Sequence, residues 1–342
     1  GVKDSTDAIQ MALYRCSLNG GGTVWMPAGK YRITSSIIIP AFVTLRGDWQ
    51  DPDTGNSYGT IILADVESTY ADDATGLFYI GGSAGVMGLT VYYPNQSIDD
   101  IKPYPYTFYV KGQGDGYMLQ SIVNCTVING YKGIGACVGE STAHEMMTVE
   151  NFKGTFLAHG AAAYNQADVG TWKNVTISNK YWANAGAGLK RADSRKLDAY
   201  TRKNAIGLIL GDLEWTEFGN VKVDNCRIGI HIVKGKRIEF AGSLCDVDIR
   251  SCDYGIRIDS MDTRWGMVLA RSSITASVTA IHNGTEGQVR MTDVKASGTV
   301  GQVLADTTGL SGVKAEYSRT PAKPTAKLYV VEMSETDKTG IK

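Results

Sequence analysis

The chain has 342 residues, a formal net charge of −1, and 40 glycines against eight prolines. This charge gives no support for nucleic-acid binding through a basic surface, and no apolar run approaches the roughly 18 residues that span a membrane. The glycines suit a chain of many tight turns, because glycine readily adopts the positive φ that such turns require.

The first element is a predicted amphipathic helix over residues 4–18. Polar capping residues precede apolar side chains at Ile9, Ala12, Leu13 and Cys16. Three consecutive glycines end the helix, and short β-rich stretches follow as far as residue 47. Because the first residue is Gly1 and not Met, we expect a processed or truncated piece of a secreted protein, with any signal peptide already removed.

Residues 4–47 read D-x-T-D-A-I-Q, then GGG-T-V-W-M-P-A-G-K-Y, I-I-I-P and V-T-L-R-G. This order resembles the start of the pectate-lyase-like superfamily, in the branch related to glycoside hydrolase families 28 and 55 and to phage tailspike depolymerases. The resemblance implies a right-handed parallel β-helix whose N-terminal end is capped by the helix. It implies little about the reaction, because hydrolases, lyases, epimerases and binding proteins share this opening.

Residues 204–260 contain the same phrase three times, as Ala205–Leu210, Arg227–Ile232 and Asp253–Ile258. Each copy has a glycine followed by apolar residues two apart, which predicts a strand with one buried face. A period of roughly 22 to 26 residues without a helix predicts a β-solenoid. The predicted fold class is therefore all-β, a right-handed parallel β-helix with a short N-terminal capping helix. Cys226 and Cys252 hold the same place in successive copies, so we expect stacked, reduced thiols.

We predict a β-helix domain over residues 1–320 and a C-terminal tail or linker over residues 321–342, which is polar and contains two prolines. In family 55 enzymes two β-helices stand in tandem. The resemblance therefore allows the tail to lead to a second β-helix outside this chain.

Two long excursions interrupt the repeats, one from Tyr92 to Tyr106 and a basic one from Asn179 to Lys203. The first contains three prolines, which cannot donate to a strand ladder. Loops on one face of a repeat array commonly form its binding face. We expect these two excursions to wall a groove.

Three carboxylates recur at one position when the coils are aligned. Glu140, Asp168 and Glu214 each stand six residues upstream of the positions taken as equivalent, which are Met146, Asn174 and Asn220. Stacked coils would bring neighbouring positions to about 5 Å, the carboxyl separation of a retaining glycosidase. We predict Asp168 and Glu214 as the catalytic pair, with Glu140 as a third candidate. The alternative is that all three lie on exposed turns by coincidence.

Aromatic residues surround these carboxylates in the sequence. Sugar rings present apolar faces that stack on aromatic rings, so we predict a carbohydrate site. The predicted substrate-binding residues are Trp172, Trp215, Tyr181, Trp182 and Tyr106. Packing beneath the long loops is the alternative for each of them.

The leading functional prediction is a secreted glycoside hydrolase that acts on a polysaccharide, such as a β-glucan or another plant or microbial glycan. We expect no metal, cofactor, nucleic acid or membrane partner. One alternative is a polysaccharide lyase that uses Ca²⁺, for which Asp224, Asp246 and Asp248 are candidate ligands. The other alternative is a non-catalytic, glycan-binding half of a larger enzyme.

Overall fold

The computed structural model describes residues 3–55, 58–68, 75–112, 118–140, 142–298, 304–305, 313–319 and 327–333. The helices in these ranges are α1 (Thr6–Leu18), α2 (Lys180–Ala183) and α3 (Ser194–Asn204). The strands are β1 (Gly22–Met26), β2 (Gly29–Ile33), β3 (Ile37–Ile39), β4 (Val43–Gly47), β5 (Thr60–Ala64), β6 (Gly76–Ile80), β7 (Gly85–Met87), β8 (Thr90–Tyr92), β9 (Tyr106–Val110), β10 (Ser121–Ala136), β11 (His144–Glu145), β12 (Thr148–Ala163), β13 (Gln166–Ala167), β14 (Thr171–Ile177), β15 (Ile206–Leu210), β16 (Glu214–Asp224), β17 (Ile228–Ile232), β18 (Ala241–Cys245), β19 (Asp248–Ile258), β20 (Met267–Asn283), β21 (Val289–Gly298), β22 (Leu304–Ala305), β23 (Val313–Arg319) and β24 (Lys327–Met333).

The strands form three parallel ladders, here called faces 1, 2 and 3. Strands β1, β4 and β7 pair on face 1, β2, β5 and β8 on face 2, and β3, β6 and β9 on face 3. Strand β10 then pairs with β7, β8 and β9 in turn, because it is long enough to cross all three faces. Each coil therefore adds a rung to every face, and the predicted parallel β-helix is confirmed.

The core is a set of stacked columns in the interior of the solenoid. Parallel register places the same inward position of each coil above that of the previous coil, and burying each such apolar side chain contributes about 1.5–3 kcal/mol. On face 1 this column contains Val24, Leu45, Val86, Ile122, Val149, Trp172, Phe218, Leu244, Leu269 and Met291. All of them except Val24 are buried.

The turn between faces 1 and 2, here called the asparagine corner, is built by Asn124, Asn151, Asn174 and Asn220. All four have φ between 52° and 57°, and asparagine tolerates this left-handed conformation better than most residues. Each later side-chain amide donates to the Oδ1 of the asparagine one coil earlier, at 2.7, 2.9 and 2.8 Å. These side-chain hydrogen bonds form an asparagine ladder that connects four coils in addition to the backbone hydrogen bonds of the strands. It also shows that Asn151, and not Met146, is equivalent to Asn124, so the coil alignment made from the sequence was wrong at this coil.

The helix predicted over residues 4–18 is α1, which buries Ile9 and Leu13 against the first coil. The basic excursion was expected to be a loop, but it contains α2 and α3. Leu197 on α3 and Trp182 on α2 are buried in one cluster with Tyr92 from the first excursion. The two excursions do stand on the same side, but they pack together over face 2 instead of walling a groove there.

The predicted thiol pair is confirmed, since the backbone N–H of Cys226 lies 3.4 Å from Sγ of Cys252 and all six cysteines are free. At the C-terminal end, β24 lies within the stretch predicted as a tail and pairs antiparallel with β21 and β23. Residues 320–326 and 334–342 lie outside the described ranges, so the domain boundary near residue 320 stays a prediction. Within the described ranges, no helix is both long and apolar enough to cross a membrane.

The asparagine corner leads to a stability prediction at Asn174. Alanine there loses two side-chain hydrogen bonds and keeps a strained left-handed backbone, so we expect Asn174→Ala to lower the free energy of unfolding by about 3 kcal/mol. Asn174→Gly loses the same hydrogen bonds without the strain and should cost about 1 kcal/mol less than alanine. Urea denaturation of the three proteins measures both differences. Equal stability of the alanine variant and the native chain would contradict the role of the ladder.

Candidate functional site

The turn between faces 3 and 1 is the second sharp corner of each coil, here called the tryptophan corner. It too uses left-handed residues, with φ between 48° and 63°, which are Phe42, Ser83, Leu119, Met146, Asp168 and Trp215 in successive coils. A non-glycine residue in this conformation reverses the chain locally and carries a modest strain. Phe42, Leu119 and Trp215 are each more than half exposed. The corner is therefore an outward ridge that runs along the solenoid.

Asp168 and Glu214 both lie at this corner, on neighbouring coils. The ladder pairs Gln166 with Leu213 on one side of them and Thr171 with Glu217 on the other. The coil of Asp168 has one residue more between these pairs, so the left-handed position of Asp168 matches that of Trp215. Asp168 is exposed and Glu214 is half-buried. The predicted pair thus lies at the same corner of neighbouring coils, but Asp168 is opposite Trp215 and not opposite Glu214.

Glu140 does not belong to this pair. The strand ladder pairs Glu145, and not Glu140, with Met118 and Ala167. The alignment made from the sequence was therefore wrong at this coil. The carboxylate of Glu140 accepts hydrogen bonds from the Tyr109 hydroxyl at 2.7 Å and from the backbone N–H of Gly112 at 2.8 Å. Burial, followed by this carboxylate, raises the pKa of Tyr109. Glu140 therefore fastens the corner loop, and the alignment that placed it with Asp168 and Glu214 is wrong.

Trp172 is also excluded from a substrate surface. It occupies the inward column of face 1 and is fully buried, with its ring centroid 5.6 Å from that of Phe218. The alternation of β14 turns it inward, because its neighbours Thr171 and Lys173 face outward. The prediction that Trp172 binds substrate is therefore wrong.

The three aromatic residues predicted from the excursions are buried as well. Tyr181 and Trp182 are 4% and 2% exposed and pack beneath the helical excursion, where the Trp182 indole N–H donates to the carbonyl of Lys190 at 3.1 Å. Tyr106 is 1% exposed, and its hydroxyl lies 3.2 Å from Nδ1 of His159. None of these rings presents a face to solvent, so their predicted contacts with substrate are wrong.

Trp215 is the predicted aromatic residue that does face solvent. Strand β16 pairs Glu214 with Ala241 and Thr216 with Gly242, which leaves Trp215 as the extra residue of a β-bulge. A bulge re-aims the side chain of its unpaired residue, and the Trp215 ring is 51% exposed. The indole therefore projects from the ridge directly beside Glu214.

Trp265 faces the same cleft and was missed by the sequence analysis. It is 54% exposed and follows a turn in which Asp262 accepts from the backbone N–H groups of Arg264 and Trp265. In the sequence, the available signal for an exposed turn was the glycine that follows Trp265. In the structure, Gly266 has a φ of 63°. The two indoles border a cleft of about 300 Å³, lined by Trp215, Ala241, Gly242, Ser243, Trp265, Gly266, Met267, Val268 and Arg290. Four of its lining residues are small, namely Ala241, Gly242, Ser243 and Gly266.

Arg264 connects the charges at this end of the corner. Its guanidinium forms an ion pair with Asp262 at 2.7 Å, and this hydrogen-bonded contact lowers the pKa of Asp262. Asp262, and more weakly the carboxylate of Glu214, raise the pKa of Arg264. Glu214 therefore acts electrostatically on Arg264, the residue that precedes Trp265.

The carboxylates suggested for Ca²⁺ are not arranged as a cation site. The Arg271 guanidinium binds Asp246 at 2.8 Å, and the Arg250 guanidinium binds Asp248 at 2.6 Å. Within the described residues, no three His, Cys, Asp or Glu side chains gather in a way that fits a metal ion. Asp224, Asp246 and Asp248 therefore do not fit the calcium ligands of the lyase alternative.

The family model for rhamnogalacturonase A/epimerase, pectate lyase-like proteins matches residues 1–257. The chain belongs to this family. The resemblance read from residues 4–47 is thereby confirmed, and the protein is a carbohydrate-active β-helix of the pectate lyase-like group. No curated protein sequence matches the chain.

Solved structures give further likenesses of fold. A tailspike protein of E. coli bacteriophage HK620, in complex with a pentasaccharide, is 13% identical over 86% of this chain and 58% of that one, with a TM-score of 0.51. The A-module of the Azotobacter vinelandii mannuronan C-5 epimerase AlgE4 is 15% identical over 91% and 96% of the two chains, with a TM-score of 0.41. An iota-carrageenase of family GH82 from A. fortis is 14% identical over 96% and 62%, with a TM-score of 0.42.

His144 lies in the interior behind the tryptophan corner. It is fully buried, and its Nε2 donates to the carbonyl of Tyr164 at 3.1 Å. Burial lowers the pKa of His144 from the ordinary 6.5 to about 4, with a smaller opposing effect of the Tyr164 carbonyl. The imidazole is therefore neutral in the folded protein at pH values where it is protonated in the unfolded chain.

This shift predicts a pH dependence of stability. Between pH 6.5 and 4 the unfolded chain binds a proton at His144 that the folded chain does not, so stability is lost as the pH falls through this window. A shift of this size corresponds to about 3 kcal/mol. Urea denaturation of the native chain and of His144→Gln at several pH values measures the difference in slope. Identical slopes for the two proteins would show that His144 does not titrate in this way.

Proposed function

We propose that this pectate lyase-like protein binds a polysaccharide along the tryptophan corner and hydrolyses its glycosidic bonds with Asp168 and Glu214. The observation that carries the proposal is the β-bulge that holds the Trp215 indole outward beside Glu214. An exposed indole next to a carboxylate supplies both a stacking surface for a sugar ring and a group that transfers protons or stabilises positive charge.

The proposed chemistry needs two carboxyl groups in different protonation states. The protonated group would donate to the glycosidic oxygen, while the ionised group would attack the anomeric carbon, stabilise the oxocarbenium ion or activate a water. Asp168 and Glu214 are on neighbouring coils, but displaced by one residue. A separation near 5 Å would give retention of configuration, and one of about 6.5–9.5 Å would give inversion.

A second candidate function is glycan binding without catalysis. The cleft between Trp215 and Trp265 has no carboxylate among its lining residues. A glycan held only in this cleft would meet stacking surfaces, backbone groups and Arg290, but no acid pair. This arrangement favours the binding module among the alternatives predicted from the sequence.

The first test replaces each carboxylate by its amide. Asp168→Asn keeps a residue that tolerates the left-handed backbone, and Glu214→Gln keeps the shape of the side chain, so both should fold normally. We expect each to lower turnover by about three orders of magnitude or more, because a member of the acid pair is lost. The assay follows reducing-end release over a polysaccharide panel, with ultraviolet absorbance to detect the unsaturated products of a lyase.

Glu217→Gln is the matched control, because Glu217 is an exposed carboxylate three residues from Glu214 on the same strand. It should retain full activity. If no glycan in the panel is cleaved by the native chain but one binds, the non-catalytic candidate is supported. If Asp168→Asn and Glu214→Gln both keep native activity, the acid pair is wrong.

The second test concerns binding at the indoles. We expect Trp215→Ala and Trp265→Ala each to weaken glycan binding about tenfold, because each removes one stacking surface. Trp25→Ala is the control, since Trp25 is 59% exposed but lies on the first strand, far along the solenoid. Isothermal titration with the best-bound glycan measures the three affinities. A loss shared equally by Trp25→Ala would argue against a site at this corner.

A further inference from the structure

Unpaired polar atoms are concentrated in one part of the solenoid interior. Among the described residues, seven buried side-chain nitrogen and oxygen atoms have no hydrogen-bond partner. Five of the seven belong to four side chains, Gln120, His144, Gln166 and Trp172. All four side chains are fully buried. Buried polar groups in native proteins are nearly always satisfied, so this concentration requires an explanation.

The four side chains lie behind the tryptophan corner on three successive coils. His144 and Gln166 are partners in the ladder of β11 and β13. Gln120 precedes Ile122 of the inward column by two residues, and Trp172 belongs to that column one coil beyond Val149. Three coils at strand spacing extend about 10 Å along the axis. The unpaired atoms therefore share one short stretch of the interior.

The amide of Gln166 shows how tightly this region is arranged. It fills the space above Gly170, where a Cβ would lie only 1.7 Å from Nε2. The same Nε2 donates to Oγ1 of Thr216 at 2.7 Å on the next coil, which leaves Oε1 unpaired. The Gln166 amide is thus held in place by Thr216, while its Oε1 has no hydrogen-bond donor among the protein groups.

We propose that this part of the interior binds ordered water molecules that bridge Gln120, His144, Gln166 and Trp172. The unpaired set includes two donors, Nε2 of Gln120 and Nε1 of Trp172. It also includes three acceptors, which are Oε1 of Gln120, Oε1 of Gln166 and Nδ1 of His144. The last is an acceptor because the carbonyl of Tyr164 takes the Nε2–H of His144.

The mixture of donors and acceptors identifies the ligand as water. A cation would satisfy only the acceptors, and an anion only the donors, whereas water donates two hydrogen bonds and accepts others. Rotating the Gln120 amide exchanges its donor and acceptor, so the side chain offers one of each in either orientation. The neutral state of His144 agrees with this assignment, because its Nδ1 can then accept from a water molecule.

The bridged coils are those that carry the outer ridge. Gln166 stands two residues before Asp168, and its partner Thr216 follows Trp215 directly. Waters that connect the coils from inside would hold these segments at a fixed spacing. These water sites are independent of the proposed hydrolysis, so they are tested without an enzyme assay.

The test compares two buried glutamines in otherwise native chains. Gln120 is the bridged residue, and Gln96 is its matched control, because both polar atoms of the Gln96 amide bond directly to the backbone of Lys102 at 2.8 and 2.9 Å. Long-lived internal waters are counted by water-proton magnetic relaxation dispersion. We expect Gln120→Met to lose at least one such water, with a small change in melting temperature. Gln96→Met should keep all of them and lower the melting temperature more.

A crystal structure of the native chain at atomic resolution is the second measurement and does not depend on any variant folding. Density for water within hydrogen-bond distance of Gln120 and of His144 Nδ1 supports the proposal. Direct pairing of the Gln120 amide with His144 and no density between them would overturn it. An unchanged number of long-lived waters in Gln120→Met would overturn it as well, and so would density with the short, multiple oxygen and nitrogen contacts of a metal ion.

Discussion

Every coil of this β-helix must turn where the previous coil turns, because the parallel ladders of three faces share one register. The asparagine corner meets this constraint with four left-handed residues whose amides bond from coil to coil. The column continues in the Arg271–Asp246 ion pair, in which a guanidinium binds the carboxylate of the coil before it. Both residues are left-handed too. Side-chain contacts at the turns thus repeat the spacing of the backbone ladders, and a residue that broke one would disturb the register of its neighbours.

The tryptophan corner obeys the same constraint but departs from it at two places. The coil of Asp168 contains one extra residue before Thr171, and the coil after β16 has one residue fewer, so Trp215 bulges outward. A solenoid absorbs such changes at its corners, because the turns are not held by ladder hydrogen bonds on both sides. These irregularities lie on the neighbouring coils that carry Asp168, Glu214 and the exposed Trp215. Departures from an ideal repeat of this kind are typical of functional positions.

The excursions explain why the ridge at this corner, and not face 2, is available to a polymer. α3 and the loop from Tyr92 bury Leu197, Trp182 and Tyr92 against the strands of face 2, and the ion pair of Lys196 with Asp99 joins the two segments. The basic charge that the sequence places in this excursion is partly neutralised by such pairs. The ridge from Phe42 to Trp215 stays open to solvent. Under the proposed function, a glycan chain would run along this corner, where Phe42, Leu119 and Trp215 are exposed.

The sequence by itself determined the capping helix, the parallel β-helix and the stacking of Cys226 on Cys252, because alternation and a fixed repeat are properties of neighbouring residues in the chain. It also placed Asp168 and Glu214 on neighbouring coils at one corner, although they are displaced by one residue, and their catalytic role stays a prediction. The sequence did not distinguish Trp215 from Trp172, because each closely follows a carboxylate. The strand register turns the Trp172 ring inward, and a β-bulge turns the Trp215 ring outward. Glu140 was misplaced by a coil-length difference that no local pattern shows. Trp265 was missed because its partner in the cleft comes from another coil, and that proximity exists only in the tertiary structure.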